Sequence, residues 1–367
     1  MGAALSRYLT QRPPFLLALR MNYDGLLVSL LDFAWRLEQA FMDVLSEVLK
    51  VVKLQGALFY NGEFSAPWSI RAASARALAG HFQAGVEHVI VYHLLTEGRC
   101  TVRLDSGETV ALKAGDLVMV PHGDPHIMEN GHATETIDDS SQLGSVLAQG
   151  LKLWRVGNGG EVTKFICGYM ACDLRLSEMF LSGLPAIFKV SLRDDASGPW
   201  LENSIRFSVD QVSGSRAGSE ALLSKLSEVL FVETLRAYIA TLPSDQKGWL
   251  AGARDAEVSR TMALMHKNPS HPWTIAELAK QVGVSRSVLA ERFRHYLCEP
   301  PMSYLMRWRL QLGAQMLASS SHSVAQIASE VGYESEAAFN RAFKREFALP
   351  PARFRTETRC PAARATA

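Results

Sequence analysis

Two short stretches, fifty positions apart, carry side chains of the kind that read base edges and grip phosphate. On "SRSVLAERFRHYL" (Ser285–Leu297) a helical period turns Arg286, Ser287, Ala290, Glu291 and Arg294 outward. On "SEAAFNRAFKREF" (Ser335–Phe347) it turns Glu336, Ala337, Asn340, Arg341 and Lys344 outward. Arg341 can pair in a fork with guanine, Asn340 with adenine and Glu291 with cytosine. Arg294, Lys344, Arg345 and Arg355 suit phosphate, which fixes position without carrying sequence information. A single helix of this kind reads equally well as the solvated face of a bundle. Two in register do not.

The elements that position these residues are also repeated. "TIAELAKQVG" (Thr274–Gly283) and "SVAQIASEVG" (Ser323–Gly332) lie 49 residues apart and share one design. Thr274 with Glu277, and Ser323 with Gln326, spell capping boxes, in which side chains satisfy the free amides of a helix start. Ile275 and Val324, Leu278 and Ile327, and Val282 and Val331 keep step, and each stretch ends on a glycine, Gly283 or Gly332. The following helices bury Leu289 and Phe293 in one copy, Phe339 and Phe343 in the other. The offset becomes 50 there and stays so through Pro300-Pro301 against Pro350-Pro351, and Tyr304 against Phe354. One longer helix, "MSYLMRWRLQLGAQMLASS", joins the two units.

Composition sets the frame. A chain of 367 residues, 48% hydrophobic and 20% charged, is a globular protein of two or three domains. Residues 251–367 hold 16 Lys+Arg against 10 Asp+Glu, while the rest holds 22 against 27. A basic C-terminal third on an acidic body calls for an anionic partner. Five cysteines (Cys100, Cys167, Cys172, Cys298, Cys360) make no disulfide framework and fit a reducing cytoplasm. No uncharged apolar run reaches the length of a membrane helix; "GLLVSLLDFAW" is the nearest, and Asp24 and Asp32 bracket and interrupt it. "MGAALS" matches the myristoylation pattern formally, with no second membrane signal beside it.

The paired units resemble the DNA-binding domain of the AraC/XylS family of bacterial transcription regulators. "IASEVGYESEAAFNRAFKREFALPPARFR" carries that family's signature almost throughout, and the resemblance covers about a hundred residues. It implies two helix–turn–helix units, each placing its second helix in the major groove. Two departures stand out. Cys298 and Ala348 occupy positions where relatives carry glycine, and a left-handed backbone there costs a non-glycine residue about 1 kcal/mol.

The N-terminal half changes character. Residues 1–41 read poorly as part of any domain, and an upstream start or an added tail would account for them. From residue 42 to 215, short apolar or alternating runs ("VIVYHLL", "CTVRL", "TVALK", "LVMVP", "VTKFICG") predict a small β-barrel or sandwich. "GDLVMVPHGDPHIMEN" fits the second cupin motif through Gly115, Pro121, Gly123, His126 and Asn130. The first motif is degraded: His93 and Glu97 keep its spacing, but Val91 replaces its first histidine. His93, Glu97 and His126 are thereby the effector-pocket candidates, with His88 and His122 expected on loops or the surface. "CGYMACD" resembles a block of a cupin subgroup of AraC-type regulators. With its Cys167 and Cys172, the set His93, His126, Cys167 and Cys172 would suit zinc or another thiophilic ion. On a plain strand, residues five apart face opposite ways, so Cys172 needs a bulge to join. Equally, the cysteines are small buried hydrophobes and the histidines hydrogen-bonded core, or the thiols sense oxidants or electrophiles without metal.

Residues 216–250 predict linking and dimerisation helices, with Leu222, Leu223, Leu226, Val229, Leu230, Val232 and Leu235 on a broad apolar face. Residues 251–360 form the DNA-binding domain and 361–367 a disordered tail. The expected fold is therefore an α+β multidomain chain: a cupin-like barrel, linking helices, and an all-α double helix–turn–helix domain. The expected function is a cytoplasmic, homodimeric, sequence-specific regulator of promoter DNA that is not an enzyme. It would respond to a small molecule or metal, and would engage RNA polymerase if an activator. Two other readings stand beside it: a metal-dependent cupin enzyme with a helical appendage, and an architectural DNA-binding protein without a signal.

Overall fold

The computed structural model describes residues 44–49, 55–72, 74, 88–138, 153–157, 159–172, 181, 183–194, 198–212, 218–243 and 245–359. The expected extension 1–41, its apolar run, the formal acylation pattern, Cys360 and the tail 361–367 lie outside the described residues.

Among the described residues eleven strands run in chain order: β1 (Gln55–Ser65), β2 (Trp68–Ala72), β3 (His88–Glu97), β4 (Arg99–Leu104), β5 (Thr109–Lys113), β6 (Asp116–Val120), β7 (His126–Asn130), β8 (Ile137–Asp138), β9 (Leu153–Gly157), β10 (Val162–Cys172) and β11 (Phe188–Ser191). They form two facing sheets. The larger has the order β11-β6-β3-β10-β1-β9, and the smaller β5-β4-β7-β2-β8.

The larger sheet is covered on both faces, which explains why β3 reads as a continuous apolar run. Alternate residues of β3 go to different cores. Val89, Val91 and Leu95 join the interior between the sheets with Tyr60, Phe64, Trp68, Val102, Met128, Phe165 and Cys167. Ile90, Tyr92 and Leu94 pack outward with Ile166, Met170 and Cys172 against the helices.

Those helices are α1 (Gly198–Val212) and α2 (Ser219–Thr241). The broad face expected of α2 divides. Leu223, Leu226, Leu230, Leu235 and Ile239 are buried, whereas Leu222 and Val229 stay 51% and 40% exposed. Contact with the sheet is close at Gly56, where a Cβ would fall 2.6 Å from the Ser227 Cβ and 2.8 Å from the Met170 sulfur. Any side chain there would lift α2 off β1.

Among the described residues eight helices follow: α3 (Trp249–Arg254), α4 (Ala256–Lys267), α5 (Ile275–Val282), α6 (Arg286–Leu297), α7 (Pro301–Ser319), α8 (Val324–Glu330), α9 (Glu336–Phe347) and α10 (Pro351–Arg359). The first unit pairs α5 with α6 and the second α8 with α9. Ser323 makes its full capping box, accepting from the Gln326 amide (3.1 Å) and giving its own amide to Gln326 Oε1 (2.8 Å). Thr274 makes only half of one. Its hydroxyl accepts from the Glu277 amide (3.2 Å), but the Glu277 carboxylate is taken by His271 Nε2 (2.9 Å).

Cys298 and Ala348 end α6 and α9 at φ of 58° and 57°, in the left-handed region. Their Cβ atoms crowd the following carbonyl there. Cys298→Gly and Ala348→Gly are each expected to stabilise the helical domain by about 1 kcal/mol. Denaturant unfolding of the two variants checks this; no gain in either would mean that neighbouring contacts compensate the strain.

Candidate functional site

Reading-helix geometry comes from short-range chemistry. Ser285 Oγ accepts from the Val288 amide and Ser335 Oγ from the Ala338 amide, each at 3.2 Å, which fixes where α6 and α9 begin. Leu289 and Phe293, then Phe339 and Phe343, are fully buried and set which face points out. Arg286, Ser287, Glu291 and Arg294 are exposed on α6, as are Glu336, Ala337, Arg341, Lys344 and Arg345 on α9. Ala290 and Asn340 are half-buried at the edges of those faces.

Arg355 stands apart. It lies on α10 and donates to the backbone carbonyl of His322, tying α10 to the turn ahead of α8. Arg292 and Arg307 likewise serve internal ion pairs, with Asp255 and Glu257 and with Glu299. One outward residue escaped the sequence reading. Val288, in the first turn of α6, is 39% exposed beside Ser287 and Glu291, and an apolar side chain so placed can meet a thymine methyl. A valine is by type as readily core as surface, and only the burial of Leu289 beside it separates the two roles.

The second site lies inside the sandwich. β3 and β10 pair so that His93 sits directly opposite Cys167, and His126 enters from β7 of the facing sheet. His126 Nδ1 lies 2.9 Å from the Asp124 carbonyl, which can only accept, so Nδ1 carries the proton. His126 Nε2 is then an acceptor and receives a hydrogen bond from the N–H of His93 Nε2 at 2.7 Å. His93 Nδ1 in turn accepts from the Cys167 thiol, with the sulfur 2.6 Å away. The result is a directional chain running from thiol to imidazole to imidazole to carbonyl. Burial holds both imidazoles below their ordinary pKa, and His93 also feels His126, so both are neutral at pH 7.

This arrangement does not assemble the four-donor set expected for zinc. Cys167 and His126 occupy opposite edges of the His93 ring, so an ion on one edge cannot reach both. Cys172 faces the helices in the other core, because β10 stays regular between residues 167 and 172 in its pairing with β3. Among the described residues no three His, Cys, Asp or Glu side chains converge as metal ligands do. Glu97 is not in the interior either. It is exposed at the end of β3, with its carboxylate 2.8 Å from Lys164 Nζ. Val91, at the place of the absent histidine, is buried in the same interior as His93. His88, expected near the surface, is buried with its Nε2 2.7 Å from the Pro121 carbonyl; half-buried His122 reaches the Leu184 carbonyl at 3.1 Å. An open groove of about 480 Å³ lies elsewhere, on the outward face of the smaller sheet around Thr101, Glu129, Asn130 and His132.

Comparison with known proteins finds relatives for both halves of the chain. A cupin family matches residues 43–240 and a helix-turn-helix domain family matches residues 278–357. The transcriptional regulator AlkR of Acinetobacter baylyi is 28% identical over 321 residues, covering 86% of this chain and all of that protein. An AraC-like transcription regulator of Streptomyces lividans is 29% identical over 326 residues, covering 87% of this chain and all of that protein. No helix among the described residues is long and apolar enough to cross a membrane.

Arg341→Ala is expected to weaken binding to a selected DNA site by about 1–3 kcal/mol and to relax preference at one base pair. Lys344→Ala should weaken all sequences alike and lower the salt slope by about one. Competition titrations at two salt concentrations check both. Unchanged base preference in the arginine variant would remove Arg341 from the reading surface.

Proposed function

The chain belongs to the AraC-type transcriptional regulators with an N-terminal cupin domain, and from that premise we propose that it is a signal-responsive, homodimeric regulator of promoter DNA. DNA-binding regulation is the function and enzyme chemistry is not. The response, the dimer and the working place in the cytoplasm are our reading, as is contact with RNA polymerase where it activates.

One observation carries the sensing role: β3 divides its side chains between the interior and the linking helix. His93 reaches the Cys167–His126 chain, while its neighbour Tyr92 donates from its hydroxyl to Ser227 Oγ on α2 at 2.8 Å. Ser227 in turn donates to the Leu223 carbonyl at 2.9 Å. From the end of α2 the connection continues. Arg254 of α3 donates to the Leu242 carbonyl, and the Gly248 amide donates to the Tyr296 carbonyl near the end of α6 at 2.8 Å. A small molecule that rearranges the buried polar chain would shift β3, and with it the helix that leads to the first reading unit. Such a shift needs only a difference in affinity between two arrangements.

The dimer rests on apolar exposure. Trp200 and Phe207 on α1 are 62% and 60% exposed, and Leu222 and Val229 on α2 are 51% and 40% exposed. Each pair is spaced i, i+7, which forms a stripe along one helix face. Among the described residues these are four of the eight exposed large hydrophobics, so apolar exposure concentrates on the linking helices. A second copy of the chain would cover them.

Two measurements test the reading. His126→Ala and Tyr92→Phe are each expected to change DNA affinity although neither residue lies in the helical domain. The double variant should depart from additivity by at least about 0.5 kcal/mol. Strict additivity, or no effect from either change, would cut the proposed connection. Metal content of protein purified without chelator tests the nature of the signal. We expect well under one zinc per chain, unchanged by Cys172→Ser; about one zinc, lost in His126→Ala, would put an ion in place of the hydrogen-bonded pair.

A further inference from the structure

We infer that Arg309 is the joint that sets the phase between the two reading helices, so that the protein requires two DNA segments at one fixed separation. The inference rests on both units binding DNA, and concerns what holds them relative to each other. Helix α7 serves two separate cores. Its first half gives Tyr304, Leu305 and Trp308 to the core of the first unit. Its second half gives Leu310, Ala314 and Leu317 to that of the second. Arg309 stands at the change-over.

The Arg309 guanidinium is seated between segments of both units. Nε donates to the Pro269 carbonyl at 2.7 Å and Nη2 to the His271 carbonyl at 2.8 Å, in the loop that enters the first unit. That loop is itself held, by Trp273 Nε1 donating to the Asn268 carbonyl (3.0 Å) and by the His271–Glu277 pair. On the other side lies the turn of the second unit. Gly332 has a φ of 88°, and a Cβ there would fall 2.9 Å from Arg309 Cζ and 2.8 Å from the Ser270 Cα. The turn of one unit, the entry loop of the other and the middle of α7 therefore meet around one planar, forked side chain. A lysine keeps the charge and the stem but is a point donor that cannot bridge two carbonyls in a fixed plane.

Two binding units on a stiff connector gain affinity together only when the connector matches the separation of their targets. A stiff joint gives a large gain at one spacing and a steep loss at others. A loosened joint lowers the gain and flattens the loss.

The test uses full-length protein and a duplex selected by the wild type from a random pool. Further probes carry one contacted segment scrambled, or two base pairs inserted between the segments. The wild type is expected to lose at least about ten-fold on either change. Arg309→Lys should bind the scrambled probe as the wild type does, bind the intact site about ten-fold less tightly, and show an insertion penalty below about three-fold. Arg309→Met should behave the same way. The inference is overturned if Arg309→Lys keeps the wild-type insertion penalty. It is also overturned if affinity for the scrambled probe falls as far as for the intact one, since that marks a phosphate contact or a damaged fold. If the wild type itself ignores scrambling, the two-unit reading of the DNA fails first.

Discussion

Everything in the sensor half depends on a single strand being buried from both sides. β3 has nine consecutive buried residues, His88 to Thr96, and the pleat sends them alternately to two cores. A strand in that position cannot move for one core without moving for the other. Its neighbours reinforce the constraint: β10 lines up with it from Lys164 to Cys172, and α2 lies so close to β1 at Gly56 that there is no space for a methyl group. Polar groups in such surroundings are costly unless they are matched. The interior chain achieves this with one proton per bond, and the order of donors is dictated by the single carbonyl at its end.

The helical domain was legible in detail because its signals are local and repeated. Caps, a 3.6-residue period, glycines and paired prolines each act within a few residues, and two copies confirm each other. What failed there was set by tertiary neighbours. Glu277 was free to complete a capping box in sequence, but His271 was nearer in space. Arg355 has the right charge for phosphate, and in the fold its guanidinium also holds the turn ahead of α8, a contact the sequence did not show.

The sandwich was legible in outline and less so at its site. Motif spacing brought out His93 and His126, and the structure brings them together with Cys167. Parity decided the rest: five residues along a regular strand put Cys172 on the opposite face, and Glu97 falls where β3 runs out into solvent. The two-sided burial that makes β3 important also erased the alternation that would have shown which residues face which core. The two facing sheets are within what the short apolar runs allowed, a small barrel or a sandwich, a distinction that such runs cannot make.

The hydrophobic core has a consequence for how the molecule comes apart. One continuous apolar body runs from the outer face of the larger sheet through the linking helices to Trp308 in α7, while the second unit keeps its own cluster around Phe339, Phe343 and Phe354. Cooperative unfolding follows such boundaries. By that rule the outer face of the larger sheet, the linkers and the first unit would open together, and the second unit separately. In hydrogen exchange the second unit would open by itself, at lower free energy, while the first remained protected until the whole body melted. The two units, nearly identical in design, therefore differ in what each stands to lose: one is as durable as the protein, the other only as durable as itself.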